Sequence, residues 1–410
     1  MNVEGQIDWR TKGFWWPGPA VDAADFAAAG HHLFSAAFTW PILVVRRTAI
    51  ERNIRTLADF CARHGLAFAP HGKTTMAPSL IAAQLAAGAW GVTVATASQA
   101  LAVRAMGVPR VVLANQLLDP TPLRWAAGET EHGFDFLFQV DSTSGVSVAA
   151  DALRTAPGDR PLRVLVELGY PGGRTGCRTL AELADVAAAV HAAPRLDLAG
   201  VAAYEGGLPE RAHVAAFLDR VREATRDLAE RGLLPAEAVV AAGGSAYFDL
   251  VAERLAGQWL PGHRLTTVLR SGAYVAHDDG FYRLRSPFRH VPDQGFLEAA
   301  IEVWAQVLST PEDGLAVVGM GKRDVPYDEG LPEAAWVRRT DGTLVPAHGL
   351  RVTRVNDHHG FLATAGTAPV RPGDLIGFGI SHPCTAFDKW RAIPVVDDDR
   401  VVTDVLQTYF

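Results

Sequence analysis

From about residue 40 to residue 275, short apolar runs rich in β-branched residues alternate with alanine-rich stretches of helical period. This alternation constrains the fold more than any other feature, because strands buried on both faces must be covered by the helices that connect them. After a first run at residues 41–46, strand candidates fall at 66–69, 91–95, 110–114, 134–140, 162–168, 196–203, 238–242 and 265–270. Helical stretches such as 98–106, 180–192 and 210–231 lie between them. Eight strands so spaced predict a (β/α)8 barrel, although a doubly wound sheet has the same periodicity and stays open on that ground alone. Thr48 and Glu51 read as a capping box that opens the helix after the first run.

Beyond about residue 285 the texture changes. Runs at 298–308, 315–319, 350–355, 374–378 and 393–396, punctuated by Gly, Pro, Asn and Asp, predict a mostly β second domain. The chain thus divides into an N-terminal segment (1–40), a barrel (41–280) and a C-terminal β domain (281–410); with 49 % hydrophobic content it can bury one large core and one smaller. A net charge of -7 with Lys and Arg scattered along the chain argues against a nucleic-acid partner. The first thirty residues carry no continuous apolar stretch behind a basic start, and no later run approaches a membrane span, so a cytoplasmic protein is expected. Cys61, Cys177 and Cys384 are odd in number and far apart, against a disulfide framework.

Functional side chains of a barrel gather at the C-terminal ends of its strands, which filters the candidates. Lys73 stands in PHGKTTMAP (70–78), just past the first barrel strand, and an amine at a partly dry barrel mouth can form a Schiff base with an aldehyde. The alternative is an ordinary surface lysine. Gly243, Gly244 and Ser245 follow the seventh strand, with a helix expected to start at the serine. Free glycine amides, a hydroxyl and a helix end make a phosphate cradle, or merely a tight turn with its cap. Arg174 lies in a glycine-rich loop after the fifth strand, where it can donate to a ring nitrogen or form a surface ion pair. Tyr204 and Glu205 follow the sixth strand. In the second domain His382 and Cys384 fall on one face of an extended segment, an N/S pair suited to zinc unless it is a chance neighbourhood. Residues 357–360 (DHHG) offer further ligand types but read better as an exposed turn.

Together, PHGKTTMAP, the glycine-rich arginine loop, GGS and SHPCTAFDKW (381–390) occur in an order that resembles, over nearly the whole chain, the D-serine dehydratase and D-threonine aldolase family, whose barrel is of the alanine-racemase type. The resemblance implies a fold-type-III pyridoxal-phosphate (PLP) enzyme. Lys73 would carry the cofactor, Arg174 would face the pyridine nitrogen, Gly243, Gly244 and Ser245 would hold the phosphate, and Tyr204 would line the site. It also implies a metal site at His382 and Cys384, a homodimer, and a first run (41–46) that joins the C-terminal domain. Family members usually have histidine two residues after the lysine, where this chain has Thr75, a departure that bears on the substrate. The dehydratase branch resembles His-x-Cys and the aldolase branch His-x-Asp. Cys384 therefore points to a D-amino acid dehydratase that eliminates a β-hydroxyl to give a 2-oxo acid and ammonia. The alternatives are a D-threonine or 3-hydroxy-D-aspartate aldolase and a non-catalytic single-barrel PLP-binding protein, the last disfavoured by the extra domain.

Overall fold

In the computed structural model, which describes residues 5–364 and 370–410, each of the eight apolar runs forms a strand of one parallel sheet. In chain order these are Ala67–Phe68, Val92–Val94, Arg110–Gln116, Asp135–Val140, Leu162–Leu168, Leu196–Ala203, Glu237–Ala242 and Arg264–Leu269. From the second strand to the eighth each pairs with the next in sequence, and the eighth pairs with the first. The ring closes between first and second strands through Trp90 N–H to Phe68 O (2.6 Å), Thr93 N–H to Pro70 O (2.9 Å) and a parallel bridge between His71 and Thr93. Closure decides between the two architectures that periodicity left open. It also turns alternate residues inward, where Val112, Leu137, Leu165, Ala202 and Val268 form a separate interior cluster.

One boundary signal was misleading. The helix Arg47–Arg63 runs straight out of the strand Ile42–Arg46, and its N-cap, Arg46, receives no side-chain cap. Thr48 instead donates to Asp398 (3.2 Å) and Glu51 pairs with Arg47 (3.6 Å), so the Thr48–Glu51 box is not formed. A true capping box closes Leu180–Ala192, between Thr179 and Glu182.

The second domain is antiparallel. Its long strand Ile301–Glu312 pairs with Leu375–Gly379 on one side and, on the other, with Ile42–Arg46, which joins this domain as the family resemblance implies. The strands Glu333–Arg338, Gly360–Thr364 and Val402–Gln407 were not among the runs expected from the sequence. Ile7, Phe14, Phe26 and Leu33 pack with the buried Trp304 and Val402, so the N-terminal segment covers this sheet. Barrel and β domain meet at several places, Ala300 N–H to Ala276 O (2.7 Å) and Tyr409 N–H to Met76 O (3.0 Å) among them. Asn53 donates to Val275 O (3.1 Å) and Glu298 O (2.7 Å), and Thr74 Oγ1 lies 3.7 Å from Cys384 Sγ. Among the described residues no helix is long and apolar enough to cross a membrane.

Candidate active site at the barrel mouth

A cavity of about 190 Å³ opens at the C-terminal ends of the strands, and Lys73, Arg174, Tyr204, Gly243, Gly244, Ser245 and Cys384 all line it. Lys73 sits in a single 3-10 turn, Gly72–Thr74. The turn after the eighth strand presses against it: a Cβ on Gly272 would lie 2.7 Å from both Cβ and O of His71, so only glycine fits that crossing. The Arg174 guanidinium stacks on the Tyr204 ring, 4.3 Å from its centroid. Its loop is held in shape by Arg178, which donates to the carbonyls of Gly173, Thr175 and Gly176 at 2.6 to 2.7 Å.

The glycine turn differs from its expected form. The helix begins at Phe248, three residues past Ser245, and its N-cap is Tyr247. The N–H groups of Gly243 and Gly244 donate to the fully buried carboxylate of Glu205, at 3.1 and 2.9 Å. Ser271 holds the same turn from its other side by donating to Gly244 O (2.6 Å). Glu205 therefore shapes the turn, and an anion arriving at it meets Ser245 while two of the glycine amides are already committed.

Several side chains lining the cavity gave no sequence signal. Arg270 is 5 % exposed, donates to Ala203 O, and keeps a buried Nε without a protein partner. Burial lowers its pKa, an effect that nearby Glu205 and Glu167 oppose. The buried Nδ1 of His71 also lacks a partner, and burial, then Lys73, Arg270 and Arg174, hold this imidazole well below its usual pKa and hence neutral. Buried polar atoms left unmade cost about 1–3 kcal/mol each, so a cavity edged by them suits a polar ligand that supplies the missing bonds. An aldehyde cofactor bearing an anionic group fits this donor set: an amine, two guanidiniums, a hydroxyl turn and a neutral imidazole.

On the second domain's side, Tyr282 lines the cavity and its phenol lies against the Cys384 thiol. Asp278 fixes the start of the tyrosine's helix by accepting from Gly280 N–H (3.0 Å) and Tyr282 N–H (2.8 Å). His382 is extended, but Cys384 lies in the 3-10 turn Pro383–Thr385, so the two are not on one face of a strand as expected. They are brought near each other through the turn instead. Among the described residues no three His, Cys, Asp or Glu side chains gather to hold a metal. A metal here would take this N/S pair, one protein ligand fewer than the usual three of a catalytic zinc site. Residues 357–359 are exposed, between the strands Leu350–Val355 and Gly360–Thr364.

A closed barrel with Lys73 at its mouth, beside a turn that Glu205 shapes and that carries Ser245, has the layout of barrel enzymes that hold a cofactor aldehyde. Family models match the chain twice: the alanine racemase N-terminal domain over residues 45–266 and a putative serine dehydratase domain over residues 300–396. The chain belongs to the alanine racemase N-terminal domain family, in the D-serine dehydratase and D-threonine aldolase group of fold-type-III PLP enzymes. It is 27 % identical over 331 residues to a 3-hydroxy-D-aspartate aldolase of Paracoccus denitrificans (strain Pd 1222), covering 77 % of this chain and 82 % of that one. To a D-threo-3-hydroxyaspartate dehydratase of Delftia sp. (strain HT23) it is 28 % identical over 346 residues, 79 % of this chain and 83 % of that one. The crystal structure of a D-threonine aldolase from Filomicrobium marinum superposes with a TM-score of 0.77 at 24 % identity, over 91 % of this chain and 95 % of the other.

Proposed function

We propose that this protein is a PLP-dependent lyase that removes the β-hydroxyl from a D-β-hydroxy amino acid, giving a 2-oxo acid and ammonia, with zinc or a similar divalent metal at His382 and Cys384. The observation that carries this reading is the approach of the two domains: Cys384 lines the same cavity as Lys73 and lies 3.7 Å from Thr74. A thiol brought to the mouth of a lysine-bearing barrel has its use beside the substrate.

PLP, when bound, supplies an electron sink for the negative charge left at Cα. A divalent metal, when bound, supplies a Lewis acid for the β-hydroxyl. Lys73 would hold the cofactor through its amine, and the same Nζ would take the α-proton of the substrate. Arg174, its guanidinium stacked on the Tyr204 ring, would supply positive charge to the ring nitrogen. Ser245 binds the phosphate, on a turn whose shape Glu205 maintains. The α C–H and β C–O bonds break, and hydroxide leaves with a proton as water. The enamine so released becomes an imine, and a second water hydrolyses it to oxo acid and ammonia.

A second reading, cleavage of Cα–Cβ by an aldolase, is supported by the Paracoccus relative's activity. The two are separated by incubating the protein with D- and L-β-hydroxy amino acids while measuring ammonia, oxo acid, glycine and aldehyde together. Oxo acid and ammonia in equal amounts support the dehydratase, and glycine with an aldehyde overturns it. The working unit is proposed as a homodimer, which sedimentation at micromolar concentration tests.

The turn gives a separate expectation. A hydrogen bond to a charged group is worth about 1.5–3 kcal/mol, so Ser245→Ala weakens PLP binding roughly tenfold to a hundredfold while leaving turnover at saturating PLP nearly intact. Titrating the apoprotein with PLP checks it, and an unchanged dissociation constant removes Ser245 from the cradle.

A further inference from the structure

Among the acidic side chains of the β domain, Asp328 is the one that reaches the His-x-Cys segment from outside it. Its carboxylate accepts twice: Oδ2 from His382 Nδ1 at 2.8 Å and Oδ1 from Thr385 Oγ1 at 3.1 Å. The two donors flank Cys384 in sequence. One carboxylate therefore fixes both the ring of His382 and the 3-10 turn that carries the thiol.

The direction of the first bond follows from chemistry. A carboxylate can only accept, so Nδ1 carries a proton and Nε2 is the ring nitrogen that a metal would bind in place of a proton. Asp328 itself is anchored. Ser381 donates to the neighbouring Glu329 O (2.7 Å), and Asp324 earlier in the loop accepts from Gly321 N–H (2.9 Å) and pairs with Lys12 (2.7 Å). Trp390 Nε1 donates to Asp324 O (3.1 Å). Gly330, with φ +121, lets the loop cross Ser381 where a Cβ would come within 2.6 Å of its Oγ. A loop tied at several points to hold one carboxylate against a histidine is more than a solvent-facing ion pair needs.

We propose that Asp328 is a positioning residue for the metal. It sets the tautomer and orientation of His382, raises the ring's basicity toward the ion, and through Thr385 holds Cys384 in register with it. The inference rests on the metal reading proposed above. The opposing view is a half-exposed ion pair, since the Asp328 side chain is 44 % exposed, and such pairs contribute little to stability and nothing to metal affinity.

Zinc affinity of the PLP-loaded protein, measured by competition with a chromophoric chelator, separates the two. Loss of an outer partner of this kind lowers metal affinity about 10- to 100-fold. Asp328→Ala is expected to show that loss, with the near-visible absorbance of the cofactor and the melting temperature unchanged. Asp328→Asn keeps one acceptor for Nδ1–H and is expected to lose less. Cobalt substitution adds a second readout: the thiolate-to-cobalt band should weaken and shift in Asp328→Ala while persisting in Asp328→Asn. Equal zinc affinity in parent and Asp328→Ala overturns the positioning role and leaves the metal site standing. Parent protein that binds zinc no better than His382→Ala overturns the metal reading and this inference with it. Should Asp328→Ala unfold, the isosteric Asp328→Asn decides, an unchanged affinity overturning the proposal and a reduced one supporting it.

Discussion

Replacing Lys73 by alanine is expected to remove the near-visible absorbance of the bound cofactor and to lower turnover by at least about 10³-fold, because one amine serves both as cofactor anchor and as acid–base group. The chain has four lysines, Lys12, Lys73, Lys322 and Lys389, so the assignment can be checked against every competitor. Lys12 is committed to Asp324 and to the face of Trp390, 3.8 Å from the ring centroid, and Lys322 lies over the Tyr327 ring. Of the four, only Lys73 lines the cavity. Borohydride reduction followed by peptide mapping should fix the pyridoxyl group on the peptide that holds Lys73. Label on any of the other three would move the active site elsewhere. A Lys73→Ala protein that keeps both colour and turnover would end the PLP-lyase reading for this barrel.

The same lysine shows what a chain can disclose before it is folded. Barrel strands are buried on both faces, so their β-branched runs are long enough to stand out, and the fifth and sixth, Leu162–Leu168 and Leu196–Ala203, fall at the expected residues. Lys73, Ser245 and Arg174 follow strands directly, so the barrel's geometry assigns them to the mouth without any contact being known. Glu333–Arg338 is different. Only Val337 in it is buried while Ala335 and the apolar Trp336 are exposed, so no alternation of apolar and polar residues marks it. Asp328, Tyr282 and Arg270 were illegible for a related reason. Each acquires its meaning from a partner distant in sequence: Asp328 from His382, 54 residues on, Tyr282 from Cys384, and Arg270 from Ala203, 67 residues back. The Thr48–Glu51 box failed because the helix starts at Arg47, so Thr48 already lies inside it and Arg46, without a capping side chain, holds the N-cap position.

Chelation of the metal, or Cys384→Ala, is expected to abolish formation of ammonia and oxo acid from a D-β-hydroxy amino acid while leaving the cofactor's absorbance almost untouched. The two readouts come apart because the metal would act at the β-carbon, whereas the cofactor's absorbance depends on its attachment to Lys73. Hydroxide is a poor leaving group at neutral pH, and a Lewis acid on the departing oxygen provides several kcal/mol of charge stabilisation that no proton donor need supply. Loss of that contribution is worth roughly 10³-fold or more in rate, at 1.36 kcal/mol for each factor of ten. Cys384→Ala should also lower bound zinc measured by elemental analysis, and added zinc should restore chelated parent protein but not the mutant. If glycine release proves to be the main metal-dependent reaction, the aldolase reading replaces the dehydratase one. Full activity after exhaustive chelation, with no metal found, would leave His382 paired to Asp328 as a structural contact and Cys384 as a small thiol packed beside Thr74 and Tyr282.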